Sequence, residues 1–286
     1  MIEVVRPGPL ATVQDLGRPG HAHLGVPRSG AADERALRLA NRLVGNPEGA
    51  AGVELTLGGA ALRFHARSWI AVAGAPLPVR IDGRPHGMNA PCHVPAGATV
   101  EFGTPLAGLR SYVAVRGGVA VDEVLGSRST DLLSGLGPAP LSAGELLPVG
   151  PLDCHADIHV DVAPVPALPE VPQLRVVPGP RDDWFAEDAL TTLTSTPYEV
   201  TADSNRVGVR LDGAPLTRAR HGELGSEGMV TGAIQVPPSG LPIIFLTDHP
   251  TTGGYPVVAV VVSDDVPLAA QLRPGQRVRF RTGQAR

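Results

Sequence analysis

Proline and glycine break this chain so often that a large helical bundle cannot be built from it. There are 30 prolines and 35 glycines among 286 residues. Glycine costs backbone entropy inside a helix, and proline removes a donor and clashes with the preceding turn. Between the breaks, apolar residues come in strand-length runs such as Val257 to Val262, bounded by proline-glycine turns. The expectation is a mainly β protein with short strands and few, short helices.

Two segments read as helix. The first starts near Ser29, carries Asp33 and Glu34 in its first turn, where acids suit the macrodipole, and ends at Gly45-Asn46. Ala36, Leu37, Ala40, Leu43 and Val44 then share one face, giving an amphipathic helix over about residues 30–45. A shorter helix is expected after Asp182-Asp183, with Phe185, Ala189 and Leu193 at i, i+4 and i+8.

Charge excludes several functions. The formal charge of -4 and pI near 6.1 provide no basic field for phosphates, and two Trp with three Tyr offer little base stacking, so nucleic acid is not an expected partner. All 24 residues of the Lys+Arg count are Arg. Without lysine the chain cannot by itself be a P-loop ATPase, a pyridoxal phosphate enzyme or a biotin carrier. No apolar run approaches the roughly 20 residues of a membrane span. The start, MIEVVRPGP, has Glu3 and a proline-glycine break where a signal peptide has an apolar core. Cys92 and Cys154 lack C-x-x-C spacing, which fits a reduced cytoplasm, with one disulfide left open. The expected location is cytoplasmic.

Two strand openers are alike, Glu3-Val4-Val5-Arg6-Pro7-Gly8-Pro9 and Leu174-Arg175-Val176-Val177-Pro178-Gly179-Pro180. Two later G-x-x-V-x-F strands, ending at Phe102 and Phe280, also match, which suggests a tandem pair of related β units. The proline-rich stretch from Val162 to Pro172 reads as a linker. It separates an N-terminal subdomain, residues 1–165, from a C-terminal subdomain, residues 170–286. Cys154, His155, Asp157 and His159 lie just before it. A solvated strand is the stronger reading of that run, and no metal is expected on this chain.

The chemistry gathers in three stretches. Before the first helix, Gln14, Asp15, Arg18 and Ser29 supply donors, acceptors and one fixed fork among glycines 17, 20, 25 and 30, and the helix N-terminus behind them presents amides to an anion. Asp15 and Arg18 pairing only to hold the loop is the competing reading. In the second stretch, period two puts Arg206 and Arg210 on one strand face, as an anion clamp or as surface charge. The third runs from Gln235 to TDHPTTGGYP, residues 247–256. Asp248, His249, Thr251, Thr252, Gly253, Gly254 and Tyr255 are more than a β-hairpin turn requires, and the glycine amides suit an anion nest.

The run TVQDLGRPGHAHLGVPRSGAADERALRLANRLVGN, with SEGMVTGAIQVPPSG and DHPTTGGYP, resembles the allophanate hydrolase subunit 2 family, also known as the KipA-like or 5-oxoprolinase C-subunit (PxpC) family, a biotin-dependent carboxyltransferase-domain family. The resemblance extends from Val5 to Phe280. It implies a cyclophilin-like β-barrel architecture in two subdomains. It also implies a heteromeric ATP-dependent 5-oxoprolinase that opens 5-oxo-L-proline to L-glutamate, with a B-type (PxpB or KipI-like) subunit and a LamB/YcsF-type subunit as partners, ATP acting at the level of the complex and a small lactam or amide as substrate. In a fused relative, urea carboxylase, the same domain moves carboxylate from carboxybiotin to urea, the alternative activity. A KipA-like antagonist of a KipI-like kinase inhibitor is a further alternative, and prolyl isomerisation rests on fold analogy alone.

From the chemistry of amide opening, Asp15 and Asp248 are expected as orienting or proton-transfer carboxylates, Arg18 with Gly253 and Gly254 as anion contacts, and Gln14 and Gln235 as amide readers. Ser29, Arg206, His249, Thr251, Thr252 and Tyr255 complete the expected binding set. Many family members read D-R-Q-T-T-G-G-Y-P-K in the third stretch. Here His249-Pro250 and Val257 remove two cations, and Ala32 stands where Met is common.

Overall fold

A computed structural model describes residues 1–151, 157–165, 167–220, 222 and 224–283. The Cys154-His155 part of the metal reading therefore lies outside the described residues. The chain divides into two compact units. The first comprises Met1–Arg18, Ser29–Asp131 and Gly135–Leu168, and the second Pro19–Arg28, Leu132–Ser134 and Pro169–Arg286. The sequence offered no sign that residues 19–28 and 132–134 would group with the C-terminal part, because their partners are remote along the chain.

In the first unit the strands are β1 (Ile2–Arg6), β2 (Leu10–Gln14), β3 (Gly52–Thr56), β4 (Ala61–Phe64), β5 (Ser68–Gly74), β6 (Val79–Ile81), β7 (Arg84–His86), β8 (Cys92–Val94), β9 (Thr99–Phe102), β10 (Arg110–Val115) and β11 (Leu146–Leu147), with helix α1 (Glu34–Leu43). They form a six-stranded sheet, β11-β1-β4-β9-β6-β7, and a five-stranded sheet, β2-β3-β10-β5-β8. Alternation assigns the residues of β5. Ile70 and Val72 join the main core with Val4, Leu62, Phe102 and Val113, while Ala71 and Ala73 face the other way and pack with Leu37, Ala40 and Leu43 of α1. Small alanines on that face give the helix room to sit close.

Helix α1 is shorter than its apolar periodicity suggested. Asp33 caps it by accepting from the Ala36 N–H at 3.0 Å, and Ser29, at φ +53°, lies in a left-handed turn before it. The face formed by Ala36, Leu37, Ala40, Leu43 and Val44 is buried as expected.

The second unit contains β12 (Gln173–Pro178), helix α2 (Ala189–Ser195), β13 (Tyr198–Val200), β14 (Gly208–Asp212), β15 (Glu227–Gly228), β16 (Ala233–Gln235), β17 (Ile243–Phe245), β18 (Thr252–Gly253), β19 (Val257–Val261), helix α3 (Val266–Ala269) and β20 (Arg277–Thr282). Seven strands close a barrel in the order β12-β19-β16-β17-β14-β13-β20, so the mainly β expectation holds. Phe185 precedes α2 in extended backbone, paired with Arg218, rather than opening that helix.

The matched openers and closers pair differently. In the barrel β12 lies parallel beside β20. In the first unit β4 separates β1 from β9. Short strand signals report a local pleat; the partner across the sheet is chosen by distant residues.

Candidate functional site

Each unit places part of the expected residue set. In the first, Asp15 follows β2 and is 8% exposed. Its Oδ1 accepts from Gly17 N at 2.7 Å, Ser127 Oγ at 2.6 Å and Ser129 Oγ at 2.5 Å, and its Oδ2 accepts from Arg128 N at 2.6 Å. The Asp15 N–H in turn donates to Ser129 Oγ at 2.9 Å. This carboxylate ties the end of β2 to the 127–129 loop. Arg18 does not pair with it. Arg18 Nη2 donates to Ser129 O at 2.5 Å and Nε to Val124 O at 3.3 Å, while Nη1 is buried with no hydrogen-bond partner among the described residues. Both side chains hold the same loop separately, so the pair that the competing reading called for does not form.

Gln14 Nε2 donates to Thr130 O at 2.9 Å and to Thr12 Oγ1 at 3.1 Å, which leaves its buried Oε1 without a described partner. Ser29 Oγ donates to the same Thr130 carbonyl at 3.2 Å. The serine and threonine run at 127–130 was missed from sequence. Its only signal is a polar cluster following Gly126, which many surface turns share.

The N-terminus of α1 was expected to offer amides to an anion, but internal side chains occupy that end. Ala32 N donates to Glu54 Oε2 at 3.1 Å, and Asp33 N donates to the Tyr112 hydroxyl at 2.7 Å. Tyr112 passes its own proton toward Glu54 Oε2 at 2.7 Å, and Arg110 Nε lies 3.5 Å from Glu54 Oε1. Burial, then the Glu54 charge, push the Tyr112 phenol well above its ordinary range. A carboxylate of this chain takes the place expected for a bound anion. Glu54 and Tyr112 alternate with apolar neighbours in ordinary strand patterns, so nothing in the sequence marked them.

In the second unit the 247–256 segment is not a hairpin. β16 lies between β17 and β19 in the barrel, so the segment crosses over the end of β16. On the way, Thr252 and Gly253 pair with Gly228 and Glu227. Arg206, 1% exposed, sets a bidentate fork on Asp248, 0% exposed. Nε lies 2.9 Å from Oδ2 and Nη2 lies 2.9 Å from Oδ1. Nη2 also donates to Thr247 Oγ1 at 3.2 Å, and Leu132 N donates to Asp248 Oδ2 at 3.1 Å. Of the two readings left open for Arg206 and Arg210, the clamp does not form: Arg210 sits on β14 and is exposed, as the surface reading had it, while Arg206 is buried against its acid.

His249, 7% exposed, stacks on Phe245 with centroids 5.7 Å apart and planes 18° apart. Its Nδ1 lies 2.7 Å from Pro250 O. A carbonyl only accepts, so Nδ1 carries the proton and Nε2 keeps its lone pair. Burial holds this imidazole below its ordinary pKa, partly offset by the Pro250 carbonyl and the Asp248 charge.

Gln235 Nε2 donates to Tyr255 O at 3.1 Å. A Cβ on Gly253 would stand 2.6 Å from that nitrogen and 3.3 Å from the Met229 side chain, so glycine is what lets the amide pass. Arg218 lies over the Tyr255 ring, 5.6 Å from the centroid, and donates to Val236 O. Arg181 is paired with Glu227. Thr252 and Tyr255 are exposed, and Thr251, Gly253 and Gly254 are half-buried. The structure therefore groups Gln14, Asp15, Arg18 and Ser29 in one unit, and Arg206, Gln235, Asp248, His249 and residues 251–255 in the other.

Among the described residues no group of three or more His, Cys, Asp or Glu is arranged to hold a metal. No helix among them is long and apolar enough to cross a membrane.

Residues 24–282 match the family described as carboxyltransferase domain, subdomain A and B. The 5-oxoprolinase C-subunit of Escherichia coli (strain K12) is 36% identical over 283 residues, 98% of this chain and 90% of that protein. Among solved structures, TTHA0988 superposes with a TM-score of 0.89 at 37% identity, covering 98% of this chain and 56% of that one. The K. lactis urea amidolyase superposes with a TM-score of 0.93 at 32% identity. The chain spans 99% of its own length there but only 19% of the amidolyase.

Proposed function

The chain belongs to the carboxyltransferase domain, subdomain A and B, family, and from that membership we propose that it is the C-subunit of an ATP-dependent 5-oxoprolinase. In this reading it opens 5-oxo-L-proline to L-glutamate in the cytoplasm, only together with a B-type and a LamB/YcsF-type partner. The observation that carries the reading is the near end-to-end match to a protein of that name, 98% of this chain against 90% of the relative. The absence of lysine fits a division of labour in which a partner supplies the cation for nucleotide phosphates.

Opening an amide builds negative charge on the carbonyl oxygen, which must meet oriented donors. The buried Arg18 Nη1, which lacks a described partner, is such a donor, and Gln14 Oε1 is a complementary acceptor. Asp15 and Asp248 serve as orienting carboxylates, since each spends its oxygens on fixed donors of its own unit. The test is glutamate release from 5-oxoproline and ATP by the three co-purified proteins, repeated with each omitted. Glutamate formation that persists without this chain removes the proposal.

Carboxyl transfer is the second reading, favoured by the family description and by the superposition on urea amidolyase. It predicts urea-dependent consumption of carboxybiotin by the complex and no glutamate.

A further inference from the structure

In the second unit, most buried or half-buried arginines near the 247–256 segment are matched to acids. Arg206 holds Asp248 and Arg181 holds Glu227, while Arg220 is paired with Asp183. Arg218 is different. It is half-buried, and the one hydrogen bond its side chain makes among the described residues goes from Nη2 to a neutral acceptor, the Val236 carbonyl. Its Nε is sealed from solvent without a partner, and its Nη1 has no partner among the described residues and is not among the sealed atoms. Arg210 and Arg279 carry no ion pair either, but they stand exposed on strand faces, where water solvates them.

The Arg218 side chain is also held in place. A β-bridge to Phe185 fixes its backbone, Val236 O takes Nη2, and the Tyr255 ring lies under the guanidinium with Cζ 5.6 Å from the centroid. Val236 and Tyr255 are themselves tied together. Val236 N donates to Pro256 O at 3.1 Å, and Gln235 Nε2 donates to Tyr255 O at 3.1 Å. An arginine stacked on a ring keeps N–H groups at its edge, and that edge fits the oxygens of a carboxylate. Glu227 and Asp183 are already engaged by other arginines, so neither closes on this one. A partly desolvated cation whose partner is neutral gains more from an incoming anion than a solvated surface arginine does.

We propose that Arg218 is a carboxylate anchor, whose free N–H edge holds the acid group of a small amide-bearing ligand and so selects 5-oxo-L-proline over neutral amides such as urea. This rests on the 5-oxoprolinase reading above and adds to it the residue that recognises the acid group. Tyr255 is a positioning residue that orients the guanidinium.

Calorimetric titration of the full chain, and of its complex with both partners in the absence of ATP, compares 5-oxo-L-proline with 5-oxo-L-prolinamide, which keeps the ring and replaces the carboxylate by a neutral group. The wild type is expected to bind the acid saturably and about ten- to a hundredfold more tightly than the amide, the range for a hydrogen bond to a charged group. Arg218→Leu should abolish that preference, Arg218→Lys should keep only part of it because a point charge lacks the fork, and Tyr255→Leu should reduce it. In turnover, Arg218→Leu should raise KM for 5-oxoproline and leave kcat nearly unchanged. Equal wild-type affinity for acid and amide, or no binding of either by chain or complex, overturns the proposal without any variant needing to fold. A preference that survives Arg218→Leu overturns it as well. An acid preference that depends on Arg218, in a complex that releases no glutamate from 5-oxoproline and ATP, would refute the 5-oxoprolinase reading and leave the anchor standing. Glutamate release with a KM unmoved by Arg218→Leu would do the reverse.

Discussion

Arg206 and Asp248, 42 residues apart in sequence, meet as a bidentate pair with both contacts at 2.9 Å and with almost no exposure to water. The fork geometry matches guanidinium to carboxylate, and Thr247 and Leu132 satisfy further positions around it. The pair anchors the entry to the 247–256 segment at the point where the chain leaves β17. Its energetic meaning is asymmetric, since desolvation offsets much of the attraction but removing one partner strands a buried charge.

Asp248→Ala and Arg206→Leu should each lower unfolding free energy by about 3–5 kcal/mol. The double variant Arg206→Leu/Asp248→Leu should lose less than the sum of the two. Denaturant titration of the three variants measures the coupling, and strict additivity would show that the pair is not a unit.

Tyr112→Phe should cost about 1–3 kcal/mol, because it leaves the Asp33 N–H and one Glu54 oxygen without the hydroxyl that joins them. In the wild type this phenol should stay protonated through the range where free tyrosine ionises, since its pKa is raised well above that range. Ultraviolet titration should show it ionising only with unfolding. The Phe variant should also show faster amide exchange in the first turn of α1.

Gly137 sits at φ +80°, and a Cβ there would lie 2.1 Å from Ser129 O, the carbonyl that Arg18 holds. Gly137→Ala should therefore cost about 1–3 kcal/mol in backbone strain and displacement. It should reduce turnover of the assembled complex more than it reduces assembly. A wild-type unfolding midpoint would show that the loop relaxes freely.

His249 contributes a pH dependence of known sign. Its folded pKa lies below the ordinary 6.5, so the unfolded chain binds the proton more readily. The contribution is fully present above about pH 6.5 and is lost as pH falls from there through the lower folded value. His249→Phe should flatten this part of the stability profile between wild type and variant while leaving the alkaline side unchanged. Parallel profiles across the acid range would mean that the imidazole is not held neutral.

Much of this protein was written locally. The density of proline and glycine limits helix length for steric and entropic reasons, so a mainly β chain followed directly. The apolar spacing from Ala36 to Val44 marked the buried face of α1, because a helix repeats within a few residues. The complete absence of lysine ruled out whole reaction classes by composition alone. Long motifs also carried the family resemblance. What the tertiary structure alone decided were pairings without period. Asp15 finds Ser127 at a separation of 112 residues, and Arg206 finds Asp248 rather than Arg210. β16 slips between β17 and β19 and turns an apparent hairpin into a crossing loop. Strand order and buried hydrogen bonds are chosen by which remote surfaces exclude water together, and a sequence read in short windows records a residue's own pleat or turn but not its partner.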